Sequence, residues 1–159
     1  MIKLTRVDHR LLHGQVAFSW TKFLDTDCIL IVSDSLVKDE LKMNAMRMAK
    51  PTGVKLVMKS IEDSISAINS GVTDKYNLFI IVESVEDAYK LAQSCSTIKQ
   101  INLGGMKASE ERHQISKAVF VSAHDEVLLK ELNGKGIEVF TQLVPNDSKQ
   151  DAISLLHTK

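Results

Sequence analysis

Asn77-Leu78-Phe79-Ile80-Ile81-Val82 is the most apolar run of the chain, and Cys28-Ile29-Leu30-Ile31-Val32 is a second of the same kind. A strand with one wet face alternates apolar and polar residues. A run without alternation marks a strand covered on both faces, as in a parallel sheet between helical layers. Outward from Val82, Val85 to Ser94 reads as a helix, with Ser84 and Asp87 in capping-box spacing. Ile98 to Leu103 follows as a strand ending at Gly104-Gly105. Upstream of Asn77, Ser60 to Asn69 reads as a helix opened by Ser60 and Asp63 and closed by Gly71, and Val54 to Met58 as a strand. Before that, Leu36 to Ala49 has helical spacing through Leu41, Ala45 and Met48, with Ser35 as its cap and Pro51 and Gly53 as its stop.

The ends extend the alternation. Ile2 to Val7 reads as a strand, Asp8 to Gly14 as a loop, and Val16, Trp20 and Phe23 or Leu24 as the stripe of a helix starting near Gly14 or Gln15. Downstream, Lys107 to Gln114 is polar, Ala118 to Val121 is strand-like, Asp125 to Leu132 is a helix ended by Gly134, and Ile137 to Phe140 is a strand. Pro145 then breaks the pattern, and Ser148 to His157 reads as a terminal helix. The expected fold is a single α/β domain over residues 1–159. It has three α/β/α layers, about seven strands in a mostly parallel twisted sheet, and right-handed crossovers. The fifth-to-sixth connection lacks a clear helix, so an antiparallel pair is expected there.

Bulk properties narrow the function classes. Lys+Arg and Asp+Glu are both 20, so the net charge is zero, against the basic excess typical of nucleic-acid binders. No apolar run approaches the ~20 residues that cross a bilayer. Met1-Ile2-Lys3-Leu4 lacks a signal peptide's apolar core, so a cytoplasmic location is expected. Cys28 and Cys95 lie far apart in apolar segments and read as buried free thiols.

Chemistry concentrates in Arg6-Val7-Asp8-His9-Arg10-Leu11-Leu12-His13-Gly14-Gln15-Val16. His13 stands at a strand-to-helix turn. Gly14 lets backbone N–H groups approach a ligand, and the first helical turn offers unpaired donors and the positive end of the dipole. That combination suits a phosphate. Arg10 and Arg6 supply cations for a phosphoryl group, and Asp8 supplies a carboxylate to fix the His13 tautomer. These are the parts of a phosphohistidine site. The plainer reading is a loop histidine bonded to backbone, and chemistry alone leaves the two level. Ligands in such folds bind beyond the carboxyl ends of strands, where the Asp8 loop and the Gly104-Gly105 loop should meet.

Other features read as structure. His9 belongs in solvent or at the rim, and His113, His124 and His157 at the surface. Asp34 reads as a cap for the helix that follows it, Trp20 and Phe23 as core, and Met43, Met46 and Met48 as core filler. No histidine pair has metal-ligand spacing with a third ligand, and no P-loop, dinucleotide or nucleophile-elbow motif occurs, so no metal or cofactor is expected.

The opening stretch, Arg6 to Val16, resembles the active-site signature of the IIB component of mannose/fructose/sorbose-type sugar phosphotransferase systems. Met48-Ala49-Lys50-Pro51 and Asn102-Leu103-Gly104-Gly105-Met106 resemble that family too, as do length and alternation. The family usually carries a second acidic residue where this chain has His9. The resemblance implies that His13 is phosphorylated on its δ1 nitrogen and that Arg10 contacts the phosphate. Asp8 then orients His13, with Arg6, Gly14, Gln15, Gly104 and Gly105 in support. It implies a phospho-IIA protein as donor and sugar held by membrane IIC and IID components as acceptor, with the protein at the membrane periphery and homodimerisation open. The Val7-Asp8-His9-Arg10 variant resembles hexosamine-type members, such as those for N-acetylgalactosamine. A phosphate-binding or phosphohydrolase domain and a non-catalytic regulatory module are the rival readings. A carrier that meets two proteins in turn should hold His13 on a shallow, convex face.

Overall fold

The computed structural model describes residues 1–156. Strands β1 (Ile2–Asp8), β2 (Cys28–Val32), β3 (Lys55–Lys59), β4 (Leu78–Val82), β5 (Gln100–Gly105), β8 (Glu138–Thr141) and β9 (Gln150–Asp151) form one twisted sheet of order β3-β2-β4-β1-β5-β8-β9. All neighbouring pairs are parallel except β8 with β9. Strands β6 (Arg112–Ser116) and β7 (Val119–Ser122) pair as an antiparallel hairpin outside that sheet.

Helices α1 (Gly14–Phe23) and α2 (Glu40–Ala49) cover the front face, where Leu4, Leu11, Leu12, Trp20, Ile29, Ile31, Phe79 and Ile81 form one core. Helices α3 (Ile61–Asn69), α4 (Val85–Ser94) and α5 (Ala123–Gly134) cover the back, against Leu30, Ile80, Val82, Leu91, Leu103 and Leu129. The two apolar runs sit centrally: every residue of β2 and β4 is buried, as unbroken hydrophobic strands require. The α/β/α fold class expected from the sequence is the fold observed.

The chain leaves β1 for β2 on one side and β5 for β8 on the other. Adjacent strands whose connections part this way open a crevice at their carboxyl ends. In this fold the crevice lies between β1 and β5.

Several local expectations are corrected. Helix α2 is capped by Asp39, whose Oδ1 accepts the Lys42 N–H at 3.0 Å, and Leu36–Lys38 is a separate 3₁₀ turn that Ser35 precedes. That helix carries two apolar stripes. The one facing the core runs through Met43 and Met46, while Leu41 and Met48 are 83% and 88% exposed and Ala45 is exposed. Spacing cannot tell two such stripes apart. Phe23, at the last turn of α1, is also exposed, its ring edge-on to buried Trp20 at 5.9 Å.

Asp34 caps α3 through the Ile61 N–H at 2.9 Å, not the next element in the chain. Ser60 and Ser84 each accept the N3 N–H, but the reciprocal capping box forms at Ser122 and Asp125. Gly104 and Gly105 are the last residues of β5, not a loop after it. In place of a helix from Ser148, Gln150–Asp151 pairs with the open edge of β8 and Ile153–Leu155 is a 3₁₀ turn; His157 lies outside the described residues. Cys28 and Cys95 are buried free thiols, and burial pushes both thiol pKa values up.

Candidate functional site

Asp8 ends β1, and the chain turns at once. The Leu11 N–H donates to Asp8 O at 2.9 Å and the Arg10 N–H to Asp8 Oδ1 at 3.1 Å, a turn closed by aspartate's backbone and side chain together. The His9 N–H donates to Gly105 O at 2.9 Å, which ties the loop to β5. Leu11 takes a positive φ of 59°, a left-handed conformation costing a branched residue about 1–2 kcal/mol. The return is burial: Leu11 and Leu12 enter the front core at 2% and 1% exposure. His9 and Arg10 stay outside.

His13 is the N-cap of α1, with extended backbone at φ −151° and ψ 138°. Its side chain turns to Asp8 instead of capping the helix: the Nε2–H donates to Oδ2 at 3.1 Å. That bond leaves Nδ1 as the nitrogen directed away from Asp8. The first intrahelical bond runs from the Ala17 N–H to His13 O at 3.3 Å, so the N–H groups of Gly14, Gln15 and Val16 precede it at the positive end of the helix dipole. Gly14 has φ +41° and open space where a Cβ would stand, so its backbone conformation is what favours glycine.

Asp8 is fully buried and collects donors. Arg6 Nη2 donates to Oδ2 at 3.2 Å, and Arg10 Nε lies 3.6 Å from Oδ1. Burial pushes the Asp8 pKa up. The His13 hydrogen bond, the charge of Arg6 and the Arg10 N–H outweigh it, and the carboxyl ends below its ordinary value. Burial likewise drives the Arg6 pKa down, partly offset by Asp8. With His13 neutral, the two guanidinium groups and one carboxylate sum to +1, suited to an anion.

Arg6 stands apart from the surface. It is 2% exposed, beneath the Trp20 ring at 5.5 Å from its centroid, and Nη1 donates to Asn102 Oδ1 at 2.6 Å and to Gln142 O at 3.1 Å. A Cβ on Gly104 would lie 2.0 Å from Arg6 Cζ, and one on Gly105 3.0 Å from Asp8 Oδ1. The two glycines thus make room for buried Arg6 and Asp8. Gln15 is exposed on the first turn of α1.

Sequence reading missed Asn102, Trp20 and the Gln142 carbonyl as parts of this assembly. A signal was present: Asn102 is a polar residue inside the apolar run Ile101–Leu103. His113, expected at the surface, turns Nε2 toward buried Glu126 at 3.6 Å, whereas His124 is exposed.

The His13 side chain is 23% exposed and that of Arg10 49%, among exposed His9, Gly14 and Gln15. A cavity of about 240 Å³ is lined by Gly104, Lys117, Gln142 and Ser148 among others, and His13, Arg10 and Asp8 are not in its lining.

Known proteins share this arrangement's frame. The family described as "PTS system sorbose subfamily IIB component" matches residues 2–159. The N-acetylgalactosamine-specific phosphotransferase enzyme IIB component 1 of Escherichia coli is 32% identical, over 94% of this chain and 94% of that protein. The IIBSor domain of the Klebsiella pneumoniae sorbose permease superposes with a TM-score of 0.92 at 26% identity, over 98% of this chain and 95% of that one. The mannose-specific EIIAB component of E. coli is 30% identical over 98% of this chain, which spans 48% of that longer protein.

Proposed function

The chain belongs to the sorbose subfamily of phosphotransferase-system (PTS) IIB components, and from that premise we propose that His13 is its phosphoryl carrier. The observation that carries the reading is the 3.1 Å bond from His13 Nε2–H to Asp8, which keeps the proton on one ring nitrogen and turns the lone pair of Nδ1 outward.

A phosphohistidine donor presents its phosphoryl group in line with Nδ1. The P–N bond to the donor imidazole breaks as the P–Nδ1 bond forms, and the donor ring leaves with the bonding pair. Such transfers depend on positioning and charge neutralisation. Arg10 and the N–H groups of Gly14, Gln15 and Val16 hold the phosphoryl oxygens, and Asp8 holds the ring. Arg6, Gly104 and Gly105 support Asp8 from below.

The donor is a IIA protein, a partner supported by the mannose-specific relative named as a joined EIIAB component. The acceptor is sugar held by IIC and IID membrane components. In this reading the protein works at the cytoplasmic face of those membrane components. Among the described residues no helix is long and apolar enough to span a bilayer. The Val7-Asp8-His9-Arg10 variant and the N-acetylgalactosamine-specific relative favour a hexosamine as the sugar. The partly exposed His13 patch favours a protein relay over a phosphohydrolase, which needs a pocket around its substrate.

The test is incubation with labelled phosphoenolpyruvate, the general phosphotransfer proteins and a matching IIA. Label should enter the wild type and not His13→Ala; label retained by His13→Ala would overturn the assignment.

A further inference from the structure

The phosphocarrier reading gives Asn102 no task, yet Asn102 is fully buried and Arg6 nearly so, inside a core of leucine, isoleucine and phenylalanine. Both side chains cost stability against apolar residues of similar volume. Their geometry shows what they do. Arg6 and Asn102 are register partners on β1 and β5. Arg6 Nη1 is held by two neutral oxygens, Asn102 Oδ1 at 2.6 Å and Gln142 O at 3.1 Å, and the Asn102 Nδ2–H closes the triangle on Gln142 O at 3.0 Å. Arg6 Nη2 meets the carboxylate of Asp8. Trp20 covers the guanidinium from α1, and Trp20 Nε1–H is itself fixed to Leu143 O at 2.9 Å. Gly104 leaves room from β5.

We infer that Asn102 is a positioning residue that works through Arg6: as a neutral acceptor it locks the guanidinium in place while leaving its charge to Asp8, and so sets the charge state of the Asp8–His13 pair. A carboxylate at position 102 would still accept from Arg6 but would lose the donation to Gln142 O and divide the Arg6 charge. Asp8 would then be less neutralised and would hold a proton on His13 more strongly. The charged groups facing this pair are Arg6 from β1 and Arg10 from the loop; the contacts that Arg6 takes from β5, α1 and the segment after β8 are Asn102, Gly104, Trp20 and Gln142, all uncharged. The consequence for phosphoryl transfer rests on the phosphocarrier reading: a His13 protonated on both nitrogens has no lone pair to accept phosphorus.

The test follows the His13 ring by ¹⁵N NMR through a pH titration of the unphosphorylated, full-length protein. Asn102→Asp should fold and raise the His13 titration midpoint by roughly 0.5–1 unit. Asn102→Ala, which removes the hydrogen bond without adding charge, should lower stability while moving the midpoint by much less. A purely structural role predicts that both variants act alike on the midpoint. An unchanged midpoint in Asn102→Asp, equal shifts in both variants, or failure of Asn102→Asp to fold would overturn the inference. The titration needs no partner protein, so failed phosphorylation of the wild type would count against the carrier reading and leave this result standing. Where the carrier reading holds, the pH optimum for phosphoryl acceptance should rise in Asn102→Asp by the same amount.

Discussion

Gly104→Ala is the sharpest single perturbation that this structure offers. The new Cβ would lie 2.0 Å from Arg6 Cζ, 2.2 Å from Nη1 and 2.3 Å from Nη2, all far inside contact distance. The φ of Gly104 is not in the left-handed region, so backbone strain does not enter and the effect is one of space. The far end of an arginine usually gives way cheaply. Here it is 2% exposed, held by Asn102, Gln142 and Asp8 and roofed by Trp20. Moving it aside separates a buried charge from its partner, a loss of about 3–5 kcal/mol. Alanine's lower unfolded-state entropy returns about 0.4–1 kcal/mol. The net destabilisation should be about 2–4 kcal/mol. Urea unfolding followed by circular dichroism would show it as a midpoint lowered by about 1–2 M, for a slope near 2 kcal/mol per M. Gly134→Ala, where a Cβ meets nothing within 4 Å, is the matched control and should be neutral or slightly stabilising. A Gly104→Ala midpoint equal to that of the wild type would refute the claim that Arg6 is fixed in place.

Three further outcomes follow from the charges. The Asp8 carboxyl is held below its ordinary value in the fold, so its contribution to stability is complete above the unfolded-state pKa and is lost as pH falls through the folded one; between about pH 4 and 3 the wild type should lose stability faster than Asp8→Asn, and parallel curves would contradict this. The Asp87 carboxyl is pushed up to about 6 by burial and by the nearby Glu83 and Asp34 carboxylates, so it weakens the fold as pH rises from about 4 through 6. Asp87→Asn should therefore gain about 1–3 kcal/mol over the wild type at pH 8 and much less at pH 4, measured by thermal or urea unfolding. Arg10→Ala removes a side chain that is 49% exposed; it should cost under about 1 kcal/mol of stability while slowing phosphoryl acceptance at least tenfold, and unaltered kinetics would remove Arg10 from the site.

What was legible in the sequence is what local spacing encodes. The unbroken runs of β2 and β4 announced a covered parallel sheet, and the limits of α4 at Val85 and Ser94 were readable from Ser84 and the apolar period. Spacing reports that a helix has an apolar stripe, not which of two stripes finds the core; hence Leu41 and Met48 of α2 were assigned inward and lie outward. The β8–β9 pairing depends on which edge of the sheet is open, and that is decided by partners distant in sequence. At the site, Asp8 and His13 are five residues apart and their pairing was readable. The Arg6–Asn102 contact spans 96 positions and was not. One clue to Arg6 was nevertheless local: it lies two residues before the end of β1, about 7 Å down the strand from Asp8 and on the same face. That depth separates it from Arg10, although both are arginines beside the same loop.

The separation has a physical rationale. In the proposed relay, the nitrogen that receives the phosphoryl group must be open to large partners, while the group that fixes its tautomer must be shielded from the water and charges those partners bring. The two demands conflict if one surface loop serves both. The crevice between β1 and β5 resolves them by depth. His9, Arg10, Gly14 and Gln15 lie outside, where partner charges alternate and exposed pairs are worth little. Arg6 and Asn102 lie inside, where a fixed charge acts at low dielectric and partners cannot screen it. Asp8, fully buried, touches both sets: the Arg10 N–H and His13 from above and Arg6 from below. Glycine at 104 and 105 lets that column exist, because a Cβ at the first position would occupy the space of the guanidinium and one at the second would crowd the carboxylate. The stability forgone by burying Arg6 and Asn102 is thus tied to one atom, Nδ1 of His13, and to keeping its lone pair free whichever partner is docked.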